Sequence, residues 1–436
     1  MKLSEDDLYR TSTQFSHWSF TTKQIAAQRL KTNIQATERV KANVARQRAQ
    51  RLQQAESDSL SSGVENGSGA NTPLLDRSSD VKEVDCLTAA EELMIVDEFC
   101  ERALQLGAHC QFPIEVTVRA PGMPRKHQNT DAVLQATCIQ FLRRFYLYNS
   151  PMTYHGQNIS RTAMFLACKT ENAHQSVENF STNFKKTTAE QILAPEYLIV
   201  QALRFNFDVK HPFRGLKGGH MELMEMARGS YEGPNCMDEG MTSADLQSRM
   251  LQLPSKKSTT KATMQDMEKR ITDAYGFASH ILKNAALLTD AYFLYTPSQI
   301  WLSAHLLADE ALTLFYLSLK VPATSPQHGK VLAQLRACAA LLSSHPTFQS
   351  TVLPKADVEA RDAQHKEGVK RVIDKMKMCR DPEKVDLVKL NQAQKRGGVE
   401  DGGVEENKAK RRKVERETYA KANDDFWGPE LGSKAA

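Results

Sequence analysis

Side chains able to do chemistry are present in this sequence, but they are not assembled. There is no GxGxxG, Walker loop or HExxH, and no GxSxG in a strand–turn–helix setting. The 12 histidines are scattered, with no pair four residues apart beside a carboxylate. The 8 cysteines (Cys86, Cys100, Cys110, Cys138, Cys168, Cys236, Cys338 and Cys379) include no CxxC pair. A metal centre, a disulfide framework and a nucleophile–base pair are therefore not expected, and neither is a cofactor or a catalytic role. The Gly-rich stretch 215–220, GLKGGH, has no strand before it and reads as a helix-entry turn, not a phosphate loop. What remains is charge at the ends of apolar segments. Lys169 and Glu171 close the run Ala163-Met164-Phe165-Leu166-Ala167-Cys168, and Glu196 follows Pro195. On spacing alone these are ordinary helix-end charges, with Lys169 complementing a C-terminal dipole and Glu196 near a helix start.

The elements that position these charges read as helices. The run Ile159–Lys169 is apolar nearly all round, and a helix without a wet face must be enclosed by others. Around it the pattern gives a helix opened by the capping box Thr88-x-x-Glu91 and ending near Gly107, and a second over 129–146 carrying Leu134, Cys138, Phe141, Leu142 and Phe145 on one face. A short helix near 176–183 and another over 188–204 complete a set of five. A looser second set follows at 213–227, 264–285, from Thr296, 312–319 and 331–342, with an insertion at 228–260 that includes a helical turn at 243–251. Thr296-Pro297-Ser298-Gln299 opens the counterpart of the enclosed helix: Thr as N-cap, Pro in the first turn, Gln closing a capping box. The expected architecture is all-α, two tandem five-helix repeats with extra N- and C-terminal helices. Its divisions are 1–56, 57–84, 85–212, 213–346, 347–390 and 391–436.

Several stretches also carry a resemblance. FLACK (165–169) with an acid two places on, FYL (145–147), TDAYFLYTPSQIWLSAHLLA (289–308) and HWSF (17–20) resemble the cyclin family, most closely its H-type members, the regulatory subunits of the CDK-activating kinase. The resemblance implies two cyclin boxes and a non-catalytic subunit that binds and activates a cyclin-dependent kinase catalytic subunit. It implies as partners a RING-finger assembly factor and the transcription factor IIH core, and as outcome phosphorylation of the RNA polymerase II C-terminal repeats. It places a kinase-contacting pair on Lys169 and Glu196, with Phe165, Leu166, Glu171 and Ile199 in the same surface. Two departures stand out. Pro195 falls where cyclins run an unbroken helix, so a kink or restart is expected there. The first helix, EELMIVDEFC (91–100), lacks the MRAIL-type run used for substrate docking. Competing readings are a transcription factor IIB-like DNA-binding factor with cyclin-like repeats, and a C-, T- or L-type transcriptional cyclin. Against the first stand the lack of an N-terminal zinc ribbon and of a basic stripe within the repeats.

Composition bounds the rest. The chain has 436 residues, 41 % of them apolar, and a net charge of +5, too small to imply direct nucleic-acid binding. No signal-peptide core or apolar run of membrane-spanning length occurs, so a soluble intracellular protein in a reducing compartment is expected. The helix-prone stretch 23–54 has Lys23, Arg29, Lys31, Arg39, Lys41, Arg46, Arg48 and Arg51 against Glu38, with a thin stripe of Ile25, Leu30, Ile34, Val40 and Val44 for docking. Residues 57–80 and the tail after 391 are too polar to order themselves. Another polar helix is expected over 355–378, with the stripe Val358, Val369, Ile373 and Met376. In the tail, Lys395-Arg396 and, after an eleven-residue spacer, Lys408, Lys410, Arg411, Arg412 and Lys413 read as a bipartite nuclear import signal. Thr72-Pro73 and Ser325-Pro326 are proline-directed sites in expected loops.

Overall fold

In the computed structural model of the chain the described residues are 9–61, 84–110, 128–233, 241–254, 263–381 and Val388. Among them every regular element is a helix. They are α1 (Thr13–Trp18), α2 (Thr22–Ser61), α3 (Ala89–Cys110), α4 (Gln128–Tyr148), α5 (Gly156–Thr170), α6 (Val177–Thr182), α7 (Ala189–Leu193), α8 (Glu196–Ala202) and α9 (Phe213–Arg228). They continue with α10 (Ser243–Leu251), α11 (Met264–Lys283), α12 (Ala285–Leu288), α13 (Ala291–Leu294), α14 (Pro297–Ala308), α15 (Glu310–Lys320), α16 (His328–Ser344), α17 (Pro346–Val352) and α18 (Lys355–Met378). Residues 1–384 form one compact unit and 385–436 a second, of which Val388 alone is described. No helix among the described residues is long and apolar enough to cross a membrane. The polar stretch 62–83 and the tail after 391, with its import signal, lie outside the described residues.

The helix α5 is enclosed as its sequence requires. It packs against α3, α4, α7 and α8, and Ala163, Met164, Ala167 and Cys168 have no exposed surface. The expected fifth helix is two helices. Proline has no N–H, so Ala194 ends α7 with its own N–H bonded to Glu190, and Pro195 caps a new helix in which Glu196 is the first residue. The second repeat repeats the plan. α14 opens with the expected reciprocal capping box of Thr296 and Gln299 and is packed by α9, α11, α15 and α16. GLKGGH lies inside the first turns of α9 and not in a turn before it. Its glycines answer to packing: a Cβ on Gly215 would stand 2.5 Å from Trp301, and one on Gly219 2.7 Å from the same ring.

The terminal arms dock onto the repeats. Trp18 is fully buried, with the Arg144 guanidinium 5.0 Å from its ring centroid, and the Phe20 N–H donates to the Phe293 carbonyl at 2.8 Å. The helix α2 runs on to Ser61, past the expected boundary at 56. Its inward face also differs from the apolar stripe, since Leu30 and Ile34 are exposed while Ile25, Thr32, Asn33, Ala36, Val40 and Asn43 are buried. The polar members of that face meet backbone ends: Thr32 Oγ1 donates to Leu147 O at 2.9 Å and Asn33 Nδ2 to Leu87 O at 2.7 Å. At the other end α18 buries Val369, Val372 and Met376, and Asp381 accepts from Arg39 and Asn43 of α2. The N-terminal arm thus meets both repeats, and α18 packs on α3 of the first.

One ion cluster joins three parts of the chain. Arg29 of α2 holds Asp290 bidentately at 2.6 and 2.8 Å. Arg143 of α4, with 3 % of its side chain exposed, bridges Asp290 and Asp97 of α3 at 2.8 Å each and donates to Leu288 O. Burial works to raise the Asp290 carboxyl, but the hydrogen bonds and charges of Arg29 and Arg143 outweigh it and hold the group well below its ordinary value. Breaking a buried pair leaves the partner charge uncompensated. Asp290→Asn is expected to lower stability by about 3 kcal/mol, read as a shift of the urea midpoint at neutral pH, with Arg29→Gln costing less because that side chain is partly wet.

Glu92 of α3 is the opposite case, a buried carboxyl without a cation. Ser150 and Asn33 hydrogen-bond it, yet burial dominates and pushes it up to about 7. The unfolded chain releases this proton near 4.5, so between those values the native state binds the extra proton and stability falls as pH rises through the window, by up to about 3 kcal/mol. Glu92→Gln should melt above the wild type at about pH 8 and converge with it near pH 4–5. Thermal scans across that range check the sign.

Candidate functional site

Among the described residues, no group of three or more His, Cys, Asp or Glu side chains is placed to hold a metal ion. Burial pushes the Cys100 and Cys338 thiols up to about 12, so neither is a nucleophile at neutral pH. His305, buried and bonded to Thr313, is brought down to about 4 by burial and stays neutral. The charges at the helix ends lie on the surface instead.

The charges singled out in the sequence meet there. Lys169 lies in the last turn of α5, and the restart at Pro195 puts Glu196 at the head of α8. Lys169 Nζ reaches Glu196 Oε1 at 2.5 Å, and the same ammonium sits 4.5 Å from the Phe165 ring centroid. A cation held between a carboxylate and an aromatic face is fixed in direction as well as charge. The side chains stay 41 % and 22 % exposed, so the pair is open to a partner. Each charge also suits its own helix end, the cation at a C-terminus and the anion at an N-terminus.

The remaining site residues divide. Glu171, half-buried, caps α5 and accepts from Thr137 Oγ1 at 2.6 Å. Phe165, Leu166 and Ile199 are core residues, Ile199 with no exposed surface. Within the chain, Phe165 carries Lys169 and Ile199 seats α8 on the core. Apolar residues on an enclosed helix face inward whatever their neighbours do. Tyr197, next to Glu196, is 60 % exposed. It is the second residue of the helix that restarts after Pro195. The import-signal residues Lys395, Arg396, Lys408, Lys410, Arg411, Arg412 and Lys413 lie outside the described residues.

Residues 125–208 match the family model of the cyclin N-terminal domain, and residues 211–343 that of the cyclin C-terminal domain. Two regions of the chain thus match the paired domains of cyclins. The chain is similar to cyclin CCL1 of Saccharomyces cerevisiae, 30% identical over 322 residues that make up 74% of this chain and 63% of the relative. It is similar also to cyclin mcs2 of Schizosaccharomyces pombe, 29% identical over 212 residues, 49% of this chain and 53% of that one. The chain thus spans somewhat less than two thirds of the length of these curated relatives. Among solved structures it resembles a chain of the CAK complex of Chaetomium thermophilum bound to ATP-γ-S, with a TM-score of 0.60 and 28% identity, covering 93% of this chain and 99% of that one. One family-model match falls on each of the two repeats expected from the sequence.

Proposed function

We propose that this chain is the regulatory cyclin of a CDK-activating kinase module, binding a cyclin-dependent kinase through the surface built on Lys169, Glu196, Tyr197 and Glu171. The observation that carries the reading is the Lys169–Glu196 pair, prepared at the junction of the enclosed helix and the restarted one. It is supported by similarity to a chain of the CAK complex over nearly the whole length of both. A kinase becomes competent when its small-lobe helix brings a glutamate to the ATP-binding lysine. A rigid surface that fits the swung-in position better than the swung-out one shifts that equilibrium, by no more than the difference in affinity. The module further comprises a RING-finger assembly factor and docks on the transcription factor IIH core, where the kinase phosphorylates the RNA polymerase II C-terminal repeats.

The chain with Lys169→Ala and Glu196→Ala should stay folded, since both side chains are partly exposed, and should lose kinase activation. Truncating a charge pair that becomes buried in an interface costs about 2–5 kcal/mol of affinity. Circular dichroism reports the fold, and phosphorylation of a C-terminal repeat peptide by the reconstituted complex reports activation. Full activation by the double variant refutes the site.

The module works in the nucleus, and the two basic clusters of the tail serve as the import signal. Replacing Lys408, Lys410, Arg411, Arg412 and Lys413 together by Ala in a fluorescent fusion of the full chain should move most of the signal to the cytoplasm, as judged by microscopy. Retention in the nucleus assigns import to a partner instead.

A further inference from the structure

The cation Lys169 has its partner, but Glu171, two residues on, stands in an unfavourable place. A carboxylate at the C-terminus of α5 faces the negative end of the helix dipole and the unpaired carbonyls there. Something must hold it, and the holder reaches across the molecule. Thr137 Oγ1 of α4 lies 2.6 Å from Glu171 Oε1 and 2.9 Å from His211 Nε2, and His211 Nδ1 lies 3.0 Å from the Tyr292 hydroxyl. Thr137 has no exposed surface and Tyr292 only 3 %. His211 belongs to the segment between the repeats, stacked on Phe213, and Tyr292 belongs to the second repeat's α13.

The polarity of this chain of bonds is set at one end. An ionised carboxylate only accepts, so the Thr137 hydroxyl donates to Glu171 and its oxygen is left to accept from His211 Nε2–H. A neutral imidazole then has Nδ1 as acceptor, and the Tyr292 O–H supplies the proton. Burial and the nearby Arg144 charge lower His211 to about 3, so the ring stays neutral and the order of donors does not reverse at neutral pH.

We infer that Tyr292, His211 and Thr137 are positioning residues for the kinase-contacting surface: the second repeat, through these bonds, fixes the carboxylate of Glu171 beside Lys169. Partner choice and activation then depend on a repeat that does not itself carry the Lys169–Glu196 pair. The inference rests on the kinase-binding reading above.

The test measures affinity of the full-length chain for the cyclin-dependent kinase that co-purifies with it, together with the melting temperature of each variant. Tyr292→Phe and Thr137→Val each remove one hydroxyl and nothing else of consequence to shape. Each should weaken kinase binding roughly tenfold, and Thr137→Ser, which keeps the hydroxyl, should restore it. In a Glu171→Ala background neither change should weaken binding further, because the group they orient is gone. Lower melting temperatures with unchanged affinity, or losses that add to that of Glu171→Ala, overturn the relay while leaving the binding surface in place. Glu171→Ala with wild-type affinity overturns the relay from the other side. Loss of binding confined to Lys169→Ala and Glu196→Ala then keeps the pair as the contact.

Discussion

A carboxylate in the second repeat, Asp290, is the point on which the architecture depends. It answers a problem created by the first repeat: α4 carries Arg143 into a core where only 3 % of the side chain reaches solvent. An isolated buried guanidinium is not tolerable in a folded protein. Asp97 alone does not settle the matter, because α3 and α4 belong to the same repeat and would pair with or without the rest of the chain. Asp290 brings α13 and its neighbours to the first repeat, and Arg29 brings the N-terminal helix to both. The segment 288–293 makes further links at this junction: Leu288 O accepts from Arg143, Phe293 O accepts from Phe20, and Tyr292 reaches His211. Electrostatics here acts as registration, setting which surfaces meet, while burial of apolar side chains supplies most of the cohesion.

Much of this was legible from local rules. An apolar helix without a polar face had to be interior, and α5 is. The capping box at Thr296 and the interruption at Pro195 are each settled within four residues of chain, so nothing distant could override them. The approach of Lys169 to Glu196 was legible through the family resemblance, since spacing alone gave two unrelated helix ends.

What was not legible depends on distant partners. Arg143 and Arg144 stand inside FLRRFYL, and no local rule says that both point inward, because the groups that meet them come from residues 14, 97, 206, 288 and 290. The face of α2 was misread for a related reason. Leu30 and Ile34 are apolar and exposed, whereas Thr32 and Asn33 are polar and buried, since their partners are carbonyls at Leu147 and Leu87. Phe165, Leu166 and Ile199 are buried in the chain, as apolar residues on enclosed helices are expected to be.

The two glycines pressed against Trp301 have a further consequence. They sit one turn apart on α9 and face a single indole, so neither position has room for even a methyl group while that ring stays. Drift at these three positions is therefore tied: a lineage acquires alanine at 215 or 219 only after the indole has given way to a smaller side chain, and the smaller side chain in turn leaves a void until the alanine arrives. Order of substitution, and not merely its outcome, is written into the packing of the second repeat.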